Sequence, residues 1–235
     1  MGKLACVRWV VEPLSIPDDP PQATRSLVIC CTPRSGSWLL ADLLEQSGVC
    51  GRPHEWFWRD TRTANEAAWG TQGDEEYVAA ALAVGTTPNG VFAAKVMWSA
   101  LSEEIVARLP APRFVWLRRD DEVAQAVSFW KAVASGHWHV WDAPPREAAY
   151  DEDAIAHLLA EIREQNEAWR AWFGAHGTDA LDLRYETLVE DPDAAARRVL
   201  AFADVEAPAR RLEPRTARSG DAVNADWARR FRTVR

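Results

Sequence analysis

Arg34 stands in the stretch CTPRSGSWLL, residues 31–40, after the apolar run Leu27, Val28, Ile29, Cys30 and before what reads as a helix. Small residues at Ser35, Gly36 and Ser37 let backbone N–H groups converge on one point, and the following helix aims its positive end there. Arg34 adds a permanent charge and a planar donor fork that matches phosphate or sulfate. Strand, tight polar turn and helix form the layout of a phosphate-binding loop, yet the pattern G-x-x-x-x-G-K-[ST] is absent. A phosphatase loop of cysteine, five residues and arginine is excluded too, because Cys31 lies only three residues before Arg34. An ordinary strand–helix turn capped by serine shares the local pattern.

A second basic stretch is RFVWLRRDDEVAQAVSFW, residues 113–130, with Arg118 and Arg119 at a strand end and Ser128 in the helix beyond. Two anion sites on one sheet edge suit a nucleotide with phosphates at two separated positions; the alternative is a solvated arginine pair bonded to Asp120 or Asp121. The stretch GRPHEWFW, residues 51–58, supplies candidates for proton transfer. A carboxylate such as Glu55, set among aromatics, is a usable base, the alternative being a surface glutamate paired with Arg52 or Arg59, and His54 beside it is the rival base. Neighbours on a chain face different ways, so one of the two is expected to reach a substrate. Lys95, inside the apolar run FAAKVMW, needs a partner: it points into the site or forms a structural ion pair.

The chain holds 13 tryptophans, an unusual supply of flat faces. Trp169 and Trp172 fall at helical spacing and read as core. Trp56, Trp58, Trp138 and Trp141 lie in loops, where they can stack on a sugar or an aromatic acceptor. His137 and His139 lack a third ligand nearby, so no metal site is expected.

The elements that position these residues alternate. Strands are expected at Leu27–Cys31, Val91–Val96, Arg113–Leu117 and Ala180–Arg184, each short, mostly apolar and unalternating, as in strands buried on both faces. Helices are expected at Ser37–Gln46, Glu75–Ala83, Glu103–Arg108, Asp121–Val133, Asp153–Ala175 and Pro192–Ala203, with loops at 58–74 and 135–150. The pattern predicts one α/β domain in three layers, a P-loop-like parallel sheet flanked by helices over residues 25–235, after a proline-rich leader at 1–24. Ligands then bind at the carboxyl ends of the strands.

Composition narrows the function classes. A net charge of −8 argues against nucleic acid as a partner, although arginines gather after Arg210 and could form a local anion site. No window approaches the ~18 apolar residues of a membrane span, and the N-terminus lacks the apolar core of a signal peptide. Cys30 and Cys31 are neighbours, and Cys6 and Cys50 are isolated, which is neither a disulfide framework nor a metal set. A cytoplasmic location is expected.

Four stretches together carry a resemblance: PRSGSWLLADLLEQSGVCGRPHEWF, TPNGVFAAKVMW, RRDDEVAQAVSFWKAVASGHWH and LRYETLVEDP. In order and spacing they resemble the bacterial carbohydrate sulfotransferases of the trehalose 2-sulfotransferase type, and DAVNADWARRFR extends the likeness toward the C-terminus. The resemblance implies a sulfotransferase fold. It also implies transfer of a sulfuryl group from 3′-phosphoadenosine 5′-phosphosulfate (PAPS) to a small-molecule hydroxyl, releasing the bisphosphate PAP. Pro33, Arg34, Ser35, Gly36, Ser37 and Trp38 would then line the 5′ side, with Arg34 on the bridging or leaving oxygens. Arg119 and Ser128 would hold the 3′-phosphate, Glu55 would be the base, and His54, Trp56, Lys95 and Trp138 would face the acceptor. Trp38 departs from the pattern, since a second hydroxyl residue is common there, and Asp120 stands where a second arginine is common. An ATP-dependent phosphotransferase and a non-catalytic nucleotide-binding protein are the competing readings. The acceptor stays open between trehalose, another sugar and a natural product, and a homodimer is one arrangement open to the chain.

Overall fold

The computed structural model describes residues 13–138, 144–215 and 222–234. Strands β1 (Arg25–Cys31), β2 (Val91–Met97), β3 (Pro112–Arg118) and β4 (Leu181–Arg184) form one sheet in the order β2-β1-β3-β4, and every pairing is parallel. Alternate side chains feed two cores. Leu27, Ile29 and Cys31 face the layer of helices α1 (Ser37–Ser47) and α8 (Pro192–Phe202), while Val28 and Cys30 face that of α3 (Gly73–Gly85) and α6 (Glu152–Ala175). A third cluster joins α5 (Glu122–Ser135), α6 and α9 (Ala222–Val234) through Val127, Ile155, Leu158, Trp227 and Phe231. The fold is therefore the expected three-layer α/β arrangement. No helix among the described residues is long and apolar enough to cross a membrane.

Sheet order fixes where a ligand can sit. The chain leaves β1 toward β2 on one side, and leaves β3 toward β4 on the other. The loops after β1 and β3, adjacent in the sheet, thus diverge and open a crevice at the switch point. Those two loops carry Arg34 and Arg119.

Three expectations change. Residues 58–74, read as a loop, contain helix α2 (Arg59–Trp69), which ends at Gly70, and the start of α3. Arg62 binds both Glu66 and Asp74, and Asn65 is buried against the Tyr77 hydroxyl, so α2 is held by polar contacts that leave little apolar period to read. Two further helices, α9 and the short α7 (Tyr185–Glu190), lie where no helix was read, and α4 (Glu103–Val106) stops two residues before the expected end. Two arginines of the segment read as a local anion site are engaged within the protein. Arg215 pairs with the buried Asp42 of α1, and Arg210 donates to the Gln46 carbonyl, which straps this segment across α1. Trp141 and His139 lie outside the described residues.

Candidate active site

The turn after β1 is strained in the way an anion loop requires. Arg34 has φ 64°, uncommon for a residue with a side chain, and Gly36 has φ 89°. No side chain caps α1 at Gly36, so the first turn of the helix is left to present its N–H groups outward. Gln125 of α5, 0% exposed, donates from Nε2 to Thr32 Oγ1 at 2.8 Å and to the Pro33 carbonyl at 2.7 Å. The loop after β1 is thereby tied to the helix after β3. Gln125 was not singled out from sequence, although its position three residues before Ser128 puts both on one helix face.

Arg34 reaches across the crevice. Its Nε donates to Ser128 Oγ at 3.1 Å, and its Nη1 donates to the Trp138 carbonyl at 2.9 Å. Arg118 instead makes two hydrogen bonds to Asp182, at 2.9 and 2.7 Å, and is spent on holding β3 to β4. Arg119 lies over the Tyr185 ring, 4.5 Å from its centroid, and its sheltered Nε has no hydrogen-bond partner among the described residues. Of the two arginines, Arg119 is the one left for a ligand. Tyr185, which sequence reasoning did not single out, also touches the first loop: a Cβ built on Gly36 would lie 2.5 Å from Tyr185 Cδ2. Gly36→Ala is therefore expected to displace the loop and to cost roughly 1–3 kcal/mol from the backbone alone. Chemical denaturation measures that loss, and unchanged stability together with unchanged donor affinity would show the loop to be yielding.

The base candidates are placed by an edge pairing. His54 bridges to Ala94 in parallel, with Lys95 N–H donating to the His54 carbonyl at 2.8 Å, so the segment after Gly51 runs alongside β2. His54 and Glu55 then diverge. His54 Nε2 lies 3.5 Å from Glu45 Oε1, and this hydrogen bond holds the Glu45 carboxyl below its ordinary range. Glu55 Oε1 lies 2.8 Å from Lys95 Nζ. Lys95 therefore has its ion pair, and the partner is the proposed base itself.

Trp56 does not face an acceptor. It is 2% exposed, its Nε1 donates to the Ala93 carbonyl at 3.0 Å, and His54 stacks on it at 5.1 Å. Trp138 is half-buried against Phe129, at the mouth of the crevice beside Arg34. Trp58 is half-buried, its sheltered Nε1 has no hydrogen-bond partner among the described residues, and its backbone N–H donates to the Glu55 carbonyl. Trp169 and Trp172 are core, as their spacing predicts.

Cys31 lies under the loop beside Ser35 and Ser37, and burial pushes its thiol up to about 12, which removes it as a nucleophile. Ser35 is fully buried, and its Oγ has no hydrogen-bond partner of good geometry among the described residues. No cluster of three or more metal-ligating side chains occurs among the described residues.

The chain is similar to known proteins over most of its length. The family model described as Stf0 sulphotransferase matches residues 26–234. The chain is 32% identical to a trehalose 2-sulfotransferase of Mycobacterium tuberculosis (strain Erdman), over 90% of this chain and 96% of that one. A trehalose 2-sulfotransferase of Mycolicibacterium smegmatis is 28% identical, over 87% and 93% respectively. Among solved structures, the sulfotransferase domain of the Synechococcus PCC 7002 olefin synthase has the same fold, with TM-score 0.51 and 14% identity over 94% of this chain and 91% of that one.

Proposed function

Since the chain belongs to the Stf0 sulphotransferase family, we propose that its sulfuryl donor is PAPS, its acceptor a carbohydrate hydroxyl, and Glu55 its general base. The observation that carries the reading is the meeting of two anion motifs 94 residues apart, with Arg34 Nε on Ser128 Oγ at 3.1 Å. Gly36, Ser37 and the uncapped start of α1 receive the 5′ side of the donor. Arg119, with an unpartnered Nε, and Ser128 receive the 3′-phosphate.

The donor brings a stable leaving group, so the protein need only align, neutralise charge and move one proton. The sulfur–oxygen bond to the phosphate breaks as a bond to the acceptor oxygen forms, and Glu55 takes the acceptor proton. Arg34 meets the charge that grows on the leaving phosphate oxygen. Because the relatives are trehalose 2-sulfotransferases, trehalose is the first acceptor to try. Trp138 beside Arg34 and Trp58 beside Glu55 offer a ring face and a sheltered indole N–H to such a sugar.

The test separates this reading from an ATP-dependent phosphotransferase and from a non-catalytic binder. Calorimetry with PAPS, PAP and ATP, each with and without magnesium, should give tight binding of the first two only. Arg119→Ala should weaken PAPS tenfold or more, from a lost charged contact of roughly 1.5–3 kcal/mol. Adenosine 5′-phosphosulfate, which lacks the 3′-phosphate, should be little affected. Equal weakening of both would move the 3′-phosphate away from Arg119.

A further inference from the structure

Lys95 is 1% exposed, and its ammonium sits 2.8 Å from Glu55 Oε1 and 3.7 Å from the centroid of the Trp38 ring. The contact to Glu55 is an ion pair by distance without the alignment of a hydrogen bond, so the attraction between the charges is what holds it. It shares a strand face with Val91 and Ala93, the face covered by α1, so its side chain runs beneath the donor loop. Lys95 pairs in register with Ile29, two residues before β1 ends, and its ammonium faces the ring of Trp38 in the first turn of α1, which places it under the turn that joins the two. A charge this deep is weak evidence for stability, because an apolar residue of similar volume would fill the strand at no desolvation cost. The position of the pair suggests a different use.

We propose that Lys95 is a positioning residue for the base: clamped by the Trp38 ring, it holds Glu55 Oε1 and leaves Oε2 to receive the acceptor proton. Trp38 supplies no hydroxyl to the donor, but its ring seals the ammonium against water and joins the base to the loop that binds the donor. A carboxylate fixed at one oxygen loses rotamer freedom and meets the acceptor in one orientation. The inference rests on Glu55 being the base, and its test is built to fail separately from that assignment.

Turnover of PAPS and trehalose, or of the best acceptor in a panel of free sugars, is measured for Lys95→Met, Glu55→Gln and the double variant. Lys95→Met should lower kcat roughly 10-fold or more, within the coupling expected of contacting residues, with PAPS affinity nearly unchanged. In the Glu55→Gln background the same substitution should cost almost nothing further. The double variant should also melt above Glu55→Gln, because it no longer strands a buried ammonium. If Lys95→Met does not fold, Lys95→Gln, neutral but still a donor, is read against both Glu55 backgrounds in the same way. An equal loss in both backgrounds, or full kcat without Lys95, overturns the inference while leaving Glu55 as base. Full turnover by Glu55→Gln defeats the base assignment and this inference with it.

Discussion

Glu55→Gln is expected to cut turnover by ~10²–10⁴, the usual reach of general base catalysis, with PAPS affinity nearly intact. An alcohol is a poor nucleophile until its proton leaves, and His54, the rival, is turned toward Glu45 and stacked on Trp56. Glutamine keeps the size of the side chain and an oxygen toward Lys95, so the geometry survives while the basic form is lost. Some stability should go as well, because Lys95 then lacks a countercharge; rates are therefore taken per folded protein, below the melting range. His54→Ala should cost far less. Near-normal turnover of Glu55→Gln on an unactivated sugar hydroxyl would transfer the role to His54.

Arg34→Ala should lower the chemical rate more than it weakens PAP. A donor aimed at charge that develops in the transition state is worth roughly 10²–10³ in rate, whereas the product already carries its charge. The loss of the contacts to Ser128 Oγ and the Trp138 carbonyl also loosens the crevice, so part of the effect will be on binding. Single-turnover rates and PAP calorimetry separate the two. Equal losses in rate and in product affinity would make Arg34 a uniform binder with no particular hold on the leaving oxygen.

The strands were legible because a strand buried on both faces is mostly apolar and does not alternate: β1 is so from Leu27 to Cys31, β3 from Phe114 to Leu117 and β2 except at Lys95, whereas the short edge strand β4 also carries Asp182 and Arg184. Arg34 and Ser128 were legible as candidates through the order and spacing of the motifs that contain them, since the turn after β1 alone could equally be an ordinary serine-capped one. Their direct contact was not, because it depends on α5 crossing back over the β1 turn, a tertiary fact fixed by Gln125. Lys95 could be read as needing a partner, but Glu55 lies far from it in sequence and meets it through a single edge bridge at His54. Trp56 was misread for the opposite reason: a loop tryptophan looks available until the next strand is seen to take its N–H. Helix α2 escaped because its inward face is Thr61 and Asn65, polar residues satisfied by partners that no helical period announces.

Transfer of labelled sulfate from PAPS tests the account most directly. The wild-type chain is incubated with PAPS carrying the label in its sulfuryl group and with trehalose and other free sugars, and the products are identified by mass. A sugar sulfate and PAP are expected in equal amounts, with Glu55→Gln forming almost none under the same conditions. Folded wild-type protein that binds PAPS but sulfates no sugar hydroxyl, or that moves phosphate from ATP instead, would contradict it.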